Sequence, residues 1–400
     1  MVGPKYEKAR LPTSCLTLGK CNNLSCLVLR TETSRRERSL SHRAISALSR
    51  GYVTMLLRLL LCLMLSRCCF STFHHLVQDA EEDHLLASVY DAEHAAVLDD
   101  IWDDFKNMFN KTYSSRSEPL RRLAWEENLL KVHLHNEEAA RGMHNYTLRE
   151  NHLADLTLED YIREMVRLTL SRRRKCDDSD ILMAANPMAI PEELDWRLKG
   201  FITPPMNQED CGACYAFSIG TLIQAQIFKY TGKLIPLSEQ QIVDCSVRTG
   251  NLGCRGGSLR NTMRYVKEHG LMKYDDYPYI SQQKSCKYSP SLALVNITDW
   301  RTLPPKDEEA LKVAVATIGP VAVSVNASPH TFMLYHSGIY HDPECSSDAL
   351  NHAMLLVGYT PQYWILKNWW SEHWGMEGYM YLERGTNRCG VANFAAYAVI

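Results

Sequence analysis

The sequence predicts an α+β protein whose main part folds as two lobes, because helical and strand-like segments occur in separate blocks. The helical block follows Pro191, and its longest member, residues 214–231, ends at Gly232, a residue type that commonly terminates helices. A second helix is predicted where Ser238 and Gln241 form a capping box. The second half of the chain holds β-type segments at Val321–Val325, Met354–Val357, Tyr363–Leu366 and Tyr379–Leu382. Ligands often bind between two lobes, so we expect the functional site at their junction.

Residues 1–54 are rich in Arg and Ser and poor in acidic residues, which predicts a basic, disordered N-terminal extension. Residues 55–71 form a Leu-rich block, shorter than the roughly 20 apolar residues that a membrane-spanning helix needs. The block is typical of a secretory signal peptide, and Met55 stands where such a peptide would begin. A signal anchor with a basic cytoplasmic tail and a transit peptide are the alternatives.

Residues 98–168 are charged and helical in pattern, with aromatic and apolar residues at helical intervals and no cysteine. Residues 169–189 follow as a linker that carries the basic run Arg172–Lys175. Such a run is usually a solvated loop, but it is also an accessible site for proteolytic processing, for example by a proprotein convertase. From residue 190 to residue 400 Gly, Tyr, Trp and Cys become frequent, which marks the main domain.

The chain has a formal net charge of −2, which gives no indication of a nucleic-acid partner. Its 14 cysteines are consistent with an oxidising compartment. Seven of them follow the linker, so pairing among these seven leaves one free. Cys214 opens the predicted helix 214–231, where backbone N–H groups and the helix dipole stabilise a thiolate. Cys214 is therefore the candidate free cysteine and nucleophile.

A thiolate nucleophile needs a base, and the candidate is His352, which precedes a strand that is expected to be buried. Asn368 lies at the end of another predicted strand. Its side-chain oxygen can accept the second imidazole N–H, which fixes the tautomer and the direction of the ring. Together with Cys214, these two residues form a candidate catalytic set.

The segments around these positions resemble one family. Residues 207–218 read NQEDCGACYAFS and are similar to the nucleophile segment of papain-like cysteine proteases, especially the cathepsin L branch. His352 and Asn368 follow Cys214 by 138 and 154 residues, close to the spacing in that family. The stretch GCRGG at residues 253–257 also matches, as does the pair Cys389 and Gly390 near the end of the chain. The resemblance covers residues 98–400 and implies a papain-like fold, with a helical left lobe and a β-barrel-like right lobe, preceded by a helical inhibitory propeptide.

The resemblance implies a cysteine endopeptidase that is made as a zymogen and hydrolyses peptide bonds through a thioester on Cys214. His352 would form the ion pair with Cys214, Asn368 would orient His352, and Trp370 would shield that contact from water. Gln208 and the backbone N–H of Cys214 would form the oxyanion hole. No cofactor and no metal ion are implied.

Substrate would bind through its backbone at Gly256 and Gly257, where the missing Cβ allows a close approach. The main selectivity pocket of the family accepts the second residue before the scissile bond, and here it would be lined by Leu259, Ala327, Leu350, Ala353 and Phe394. Phe394 stands where the family usually has a small residue. The pocket is therefore expected to be apolar and shallow, with a preference for Val or Leu over Phe or Arg. The alternative is that Phe394 packs in the core.

The resemblance further implies three disulfides that leave Cys214 free, namely Cys211–Cys254, Cys245–Cys286 and Cys345–Cys389. The propeptide resemblance rests on a helix motif and a shorter second motif, carried by Arg121, Trp125, Asn128, Val132, Asn136, Asn151, Leu153 and Asp155. Ser117 and Arg149 stand where the family usually has Glu and Gly, so weaker inhibition by the propeptide is expected. By the same alignment the mature chain would begin near Ile190.

Five residues around the nucleophile and its partners depart from the family pattern. Tyr215 replaces Trp, and Asn351 replaces an Asp before the candidate base. Trp369 replaces Ser and is expected to narrow the leaving-group side of the cleft. The acidic pair Glu209 and Asp210 replaces small residues and is expected to disfavour acidic substrates. None of these changes removes a candidate catalytic group.

Three other functions compete with a protease. The pair Cys211 and Cys214 is a C-x-x-C sequence at a helix start, as in redox proteins, but that function leaves the other motifs unexplained. A zinc site would need a second cysteine pair at metal spacing, and the sequence has none. A catalytically impaired papain-like binding module is the third alternative, which the intact candidate catalytic set argues against.

The partners implied by the resemblance are protein and peptide substrates, the chain's own propeptide as an inhibitor, and cystatin-like inhibitors. The expected location is the secretory pathway, with the lysosome or the extracellular space as destination. On that route, N-glycosylation would be possible at the Asn-x-Ser/Thr sequences that begin at Asn110, Asn145, Asn296 and Asn326.

Overall fold

The computed structural model describes residues 97–171, here the N-terminal segment, and residues 190–400, here the main domain. The predicted extension (1–54), the predicted signal segment (55–71) and the basic run Arg172–Lys175 lie outside the described residues. Within the two described ranges, no helix is both long enough and apolar enough to cross a membrane.

Helices dominate the N-terminal segment and the first half of the main domain, as the sequence predicts. The N-terminal segment contains α1 (97–108), α2 (Glu118–Ala140) and α3 (Leu158–Glu164). The main domain contains α4 (Cys214–Thr231), α5 (Glu239–Cys245), α6 (Leu259–His269), α7 (Glu308–Thr317) and α8 (His330–Met333).

Eleven strands lie in the described ranges, most of them in the second half of the main domain. They are β1 (Tyr146–Leu148), β2 (Leu194–Asp195), β3 (Leu271–Met272), β4 (Ala293–Val295), β5 (Asp299–Thr302), β6 (Val321–Val325), β7 (Tyr335–Tyr340), β8 (His352–Tyr359), β9 (Tyr363–Lys367), β10 (Tyr379–Glu383) and β11 (Ala395–Val399). The large sheet has the order β1-β7-β10-β9-β8-β6-β11-β5, with β2 paired to β8, while β3 and β4 pair separately.

Strand β1 belongs to the N-terminal segment, so the pattern predicted as helical over 98–168 is interrupted here. It pairs antiparallel with β7 of the main domain, and Tyr146 stands opposite Gly338. The pairing is close, because a Cβ on Gly338, which has φ of +89°, would lie 2.3 Å from the Asn145 carbonyl oxygen. The N-terminal segment thus extends the sheet of the main domain.

Helix α4 confirms the predicted helix 214–231 and forms the centre of one lobe. It is buried from Cys214 to Ile227, as expected for a helix whose residues are mostly apolar. Gly232 ends it with φ of 68°, a left-handed conformation that glycine adopts without steric cost. The nucleophile candidate therefore stands at the first position of a helix fixed in the core.

The predicted capping box at Ser238 is only half present. The Ser238 hydroxyl accepts the backbone N–H of Gln241, as a helix cap should. The Gln241 side chain does not return to Ser238; its amide nitrogen donates to Tyr265 Oη and to the Gly270 carbonyl, both at 2.9 Å. Because Gln241 is fully buried, its amide binds the partners that surround it in the core.

Two clusters of buried apolar side chains form the cores of the two lobes, and they confirm the predicted two-lobed α+β fold. One cluster surrounds α4 and includes Cys214 and Trp369. The other joins the sheet to the N-terminal segment and includes Trp370 and Trp125. Because Trp369 and Trp370 are neighbours in sequence, the chain passes from one core to the other at this point.

Candidate active site

Cys214 is the first residue of α4 and is fully buried in this structure. Among the cysteines of the described ranges, it is the one without a disulfide partner. The others form the pairs Cys211–Cys254, Cys245–Cys286 and Cys345–Cys389, which are the pairs that the resemblance implies. The first of these disulfides holds the loop that leads into α4, where the Gly212 N–H also donates to the Cys254 carbonyl at 2.9 Å.

The candidate base and its orienting residue are in contact. His352 opens β8, and its Nε2 lies 2.7 Å from Asn368 Oδ1, just beyond the end of β9. Since an amide oxygen accepts, Nε2 carries the proton and the neutral imidazole keeps a lone pair on Nδ1. The Trp370 ring lies 4.7 Å from the imidazole centroid and covers this contact. The arrangement fixes the tautomer and the direction of the ring.

The thiol lies beside the same strand. Burial dominates the pKa of the Cys214 thiol, and it is opposed by the backbone N–H groups of Ala353, the residue after His352, and of residues 214 and 215 at the start of α4. These donors favour the thiolate, as expected at a helix N-terminus. The set can therefore carry out nucleophilic catalysis by a thiol with an imidazole base.

Both groups are nevertheless neutral in this structure. Burial raises the pKa of the Cys214 thiol to about 12, although the three backbone N–H groups oppose this shift. Burial also lowers the pKa of His352 to about 4, against the opposing effect of the Asn368 hydrogen bond. Because neither charged form has access to water, the site holds a thiol and a neutral imidazole at physiological pH.

Gln208 is fully buried next to this pair, and its side-chain donor is occupied by the N-terminal segment. Its Nε2 donates to the carbonyl oxygen of Met165 at 3.1 Å. Its backbone N–H donates to the Trp369 carbonyl at 2.8 Å, which fixes the residue in the loop. An amide donor of this kind can stabilise an oxyanion when no other acceptor binds it.

The N-terminal segment lies in the cleft as an extended chain. The Leu168 N–H donates to the Asn351 carbonyl and the Thr169 N–H to the Gly257 carbonyl, both at 2.8 Å. Leu168 forms a parallel bridge with Gly257 and is buried. The cleft therefore binds a peptide backbone.

Glycine is required on the floor of this cleft. Gly256 has φ of +111°, and a Cβ there would lie 2.1 Å from the Arg167 carbonyl oxygen. A Cβ on Gly257 would lie 2.8 Å from the Tyr215 ring and from Asn251 Oδ1. A larger residue at either position would push the bound chain or the floor away.

A cavity of about 330 Å³ opens beside Leu168. Of the residues predicted to line the selectivity pocket, Leu259, Leu350 and Phe394 lie on its wall, together with polar groups that include Ser324 and Arg260. The other two, Ala327 and Ala353, are fully buried and do not belong to the cavity lining. Phe394 is half-buried and lies both on the cavity wall and against the core, under the Arg260 guanidinium at 4.7 Å.

The expectation that Trp369 narrows the leaving-group side is wrong. Its side chain is fully buried and points into the α4 core, where it stacks on Phe217 at 5.7 Å. The indole N–H donates to the Ala353 carbonyl at 2.8 Å, and this partner explains the inward direction of the ring. Tyr215 is also an interior residue, whose hydroxyl donates to the Gly253 carbonyl at 3.0 Å. Glu209 and Asp210 are exposed.

The motif residues of the N-terminal segment hold its helices to the chain that follows them. Asn128 Nδ2 donates to the carbonyls of Ala154 and Leu156, at 2.7 and 2.9 Å. The family usually has Glu at position 117, where this chain has Ser117. The next residue, Glu118, accepts hydrogen bonds from the Trp102 indole at 3.1 Å and from Lys106 at 2.6 Å. The neighbouring residue thus supplies the carboxylate that Ser117 lacks.

Three residues of the N-terminal segment that contact the main domain were not predicted from the sequence. The Tyr161 hydroxyl donates to the Ala327 carbonyl at 2.6 Å, and its ring lies 5.5 Å from that of Trp370. Met165 and Leu168 occupy the cleft after the end of α3. The sequence feature that could have indicated them is Thr157, an N-cap residue that starts the short helix α3. Because α3 ends at Glu164, Met165 and Leu168 lie beyond its end.

No group of three or more His, Cys, Asp or Glu side chains in the described ranges could hold a metal ion. The site therefore consists of the Cys214 thiol, the His352 imidazole, the Asn368 amide that orients it, the Gln208 amide donor and a floor at residues 256–257 that binds a peptide backbone.

Comparison with known proteins agrees with this geometry. Residues 190–399 match the family model of papain family cysteine proteases, and residues 102–161 match that of the cathepsin propeptide inhibitor domain. Cathepsin R and cathepsin K of Mus musculus are each 40% identical to the chain over 313 and 308 residues, which is 76% and 75% of this chain and 93% of each relative.

Solved structures of precursors are similar as well. Digestive procathepsin L 3 from the larval midgut of Tenebrio molitor has a TM-score of 0.71 at 31% identity, over 76% of this chain and 99% of that one. The recombinant stem bromelain precursor has a TM-score of 0.67 at 27% identity, over 76% and 99%. The chain belongs to the papain family of cysteine proteases and carries its own cathepsin-type inhibitory propeptide.

Proposed function

We propose that the mature chain is a cathepsin L-like cysteine endopeptidase, with Cys214 as nucleophile, His352 as base and Asn368 as the residue that orients His352. The observation that carries the proposal is the path of the propeptide. The backbone N–H groups of Leu168 and Thr169 donate to the carbonyls of Asn351 and Gly257, and Leu168 packs in the same cluster of buried side chains as Cys214. From Met165 to Ser171 the propeptide makes contacts on both sides of Leu168, so the cleft accepts an extended chain and not only a chain end.

The chemistry follows from the site once the propeptide leaves. His352 takes the Cys214 proton, and the thiolate attacks the scissile carbonyl carbon. Gln208 Nε2 and the Cys214 N–H stabilise the oxyanion, since Gln208 is no longer bound to Met165. The imidazolium returns its proton to the leaving amine, which leaves a thioester on Cys214. A water molecule, deprotonated by His352, then hydrolyses the thioester to the carboxylic acid.

We propose that the propeptide inhibits by occupying this cleft. The Met165 carbonyl takes the Gln208 donor, and the bound chain excludes water from the thiol. Maturation would cut within residues 169–189: a cut at the basic run Arg172–Lys175 would separate most of the propeptide, and removal of the rest of the linker would leave a mature chain that begins near Ile190.

The proposed route is secretion through a signal peptide at residues 55–71, or a signal anchor, with the lysosome or the extracellular space as destination. Cystatin-like proteins are proposed as inhibitors of the mature cleft. On this route Asn110, Asn145 and Asn296 are exposed and open to glycosylation, whereas Asn326 is buried.

Endopeptidase activity is tested on the expressed full-length chain after incubation near pH 5. With a denatured protein as substrate, we expect cuts at internal bonds, identified by mass spectrometry of the fragments, and none before acid treatment. Products trimmed only from the chain ends would indicate an exopeptidase and contradict the proposal.

The specificity prediction concerns the second residue before the cut bond. Because Leu259, Leu350 and Phe394 form the apolar wall, a peptide library should show Val or Leu preferred over Phe or Arg, by about tenfold in kcat/KM. Phe394→Ala removes the bulky wall residue and should improve Phe substrates relative to Leu. Arg as the preferred residue would contradict the proposed pocket.

The propeptide is predicted to bind more weakly as pH falls. His152 of the propeptide has both ring nitrogens buried without a partner in the described ranges, and burial, with Lys111 and His373 nearby, lowers its pKa to about 3. A released His152 titrates near ~6.5, so between about pH 6.5 and pH 3 the released state binds a proton that the bound state does not. Above about pH 6.5 the neutral His152 costs the bound propeptide nothing. As pH falls below that value, proton uptake favours the released state, and propeptide binding weakens.

The measurement is the rate of propeptide release against pH. His152→Gln should slow release at pH 5 roughly tenfold relative to wild type, with no difference at pH 7.5. His269→Gln is the matched control, since His269 stacks on Tyr265 away from the propeptide. An unchanged pH dependence in His152→Gln would show that this histidine does not contribute.

A further inference from the structure

Trp369 connects three segments of the active site through its three polar groups. Its backbone N–H donates to Asn368 Oδ1 at 2.9 Å, and its carbonyl accepts the Gln208 N–H at 2.8 Å. Its indole N–H donates to the Ala353 carbonyl at 2.8 Å. The backbone bonds are open to any residue at this position, but the indole bond depends on tryptophan.

Each of these partners touches the proposed chemistry. Asn368 Oδ1 also accepts from His352 Nε2, so one oxygen holds both the imidazole and the Trp369 backbone. Ala353 follows His352 directly, and its backbone N–H favours the thiolate form of Cys214, against the effect of burial on the pKa of that thiol. The indole therefore anchors the residue that stands between the base and the nucleophile.

The indole itself cannot turn away from this bond. It is fully buried, and it stacks on Phe217 of α4 with ring planes 27° apart. The buried Lys367 ammonium lies 5.8 Å from the ring centroid, and it is held in turn by the Thr203 and Pro204 carbonyls. Helix α4 and the start of β8 are thus joined by a rigid side chain.

We propose that Trp369 is a positioning residue for peptide hydrolysis: its indole N–H fixes the start of β8, and thereby the His352 imidazole, relative to Cys214. This inference rests on the proposed roles of those two residues. Without the indole donor, the Ala353 carbonyl is buried and unpaired, and the start of β8 shifts to find another partner. The thiolate–imidazolium pair is then held less well.

Trp369→Phe tests the inference, because it keeps a buried aromatic ring and removes the donor. In the acid-matured enzyme, kcat should fall about tenfold while KM stays the same, since the change affects the reacting groups and not the cleft. The bell-shaped pH profile of kcat/KM should narrow from both sides. A weaker ion pair raises the pKa at which the thiolate forms and lowers the pKa at which the imidazolium is lost.

Trp196→Phe is the matched control. The buried Trp196 indole also donates to a backbone carbonyl, that of Val315 at 2.9 Å, far from the catalytic residues in the fold. Both variants strand a buried carbonyl and should lose similar thermal stability. Only Trp369→Phe should lose kcat and narrow the pH profile.

Equal kcat and pH profiles in the two variants, with wild-type activity intact, would overturn this inference alone. An inactive wild-type enzyme would overturn the proposed function and this inference with it. If Trp369→Phe does not fold, benzothienylalanine at position 369 retains the bicyclic shape and lacks the N–H donor. Wild-type kcat and an unchanged pH profile in that protein would also overturn the inference.

Discussion

Cys214→Ser abolishes peptide hydrolysis by the matured enzyme, with an expected loss in kcat of ~10⁴-fold or more. The substitution changes one atom at the first position of α4, and serine fits the space that the fully buried cysteine occupies. A serine hydroxyl does not ionise near neutral pH, so His352 cannot hold it as an anion, and the thioester cannot form. The precursor should still fold, since the three disulfides do not involve this residue.

The measurement is steady-state hydrolysis of a fluorogenic peptide, together with the affinity of the variant for the same peptide. Binding should be retained while turnover is lost, because the cleft floor at Gly256 and Gly257 is untouched. The Cys214→Ser precursor should be cut to the mature length only when active enzyme is added. Residual turnover near the wild-type rate would mean that another group is the nucleophile.

Removing the propeptide increases the reactivity of Cys214 by about 10³-fold or more. In the precursor the thiol pKa of about 12 leaves a thiolate fraction of ~10⁻⁵ at pH 7. Once water reaches the site, the burial that raises this pKa is relieved. The N–H groups at the start of α4 and a protonated His352 then stabilise the thiolate.

The rate of alkylation by iodoacetamide, followed by peptide mapping, measures this change in the precursor and in the matured protein. Cys214→Ser in both forms controls for labelling elsewhere. The expected pH dependence is flat in the matured protein around neutrality and steep in the precursor, where the rate follows the small thiolate fraction. Equal rates in the two forms would contradict the view that the propeptide suppresses ionisation by excluding water.

The candidate site was predictable where short sequence segments contain the catalytic residues. The segment around Cys214, the strand start at His352 and the strand end before Asn368 carry the reacting groups and the residue that orients them, so residue type and spacing indicate them directly. The direction of the Trp369 side chain was not predictable, because it depends on a carbonyl of Ala353 that is distant in sequence. Size alone suggested that the ring lies in the cleft.

The fold was predictable where the local sequence pattern determines the secondary structure, as in helix 214–231, which ends at Gly232. Strand β1 was not, since three residues, Tyr146–Leu148, are shaped by the edge of β7 and not by their own pattern. The contacts of Met165 and Leu168 also depend on where the propeptide chain runs after α3. Such features arise from packing between segments that are remote in sequence.

The most direct test of the account is labelling of the acid-matured protein with an epoxysuccinyl inhibitor, with the site of attachment located by peptide mass mapping. The account predicts one label per molecule, on Cys214, with peptide hydrolysis lost in proportion to labelling and no label in Cys214→Ser. A correctly folded, matured protein that takes no label, or that takes it on another residue while hydrolysis continues, would contradict it.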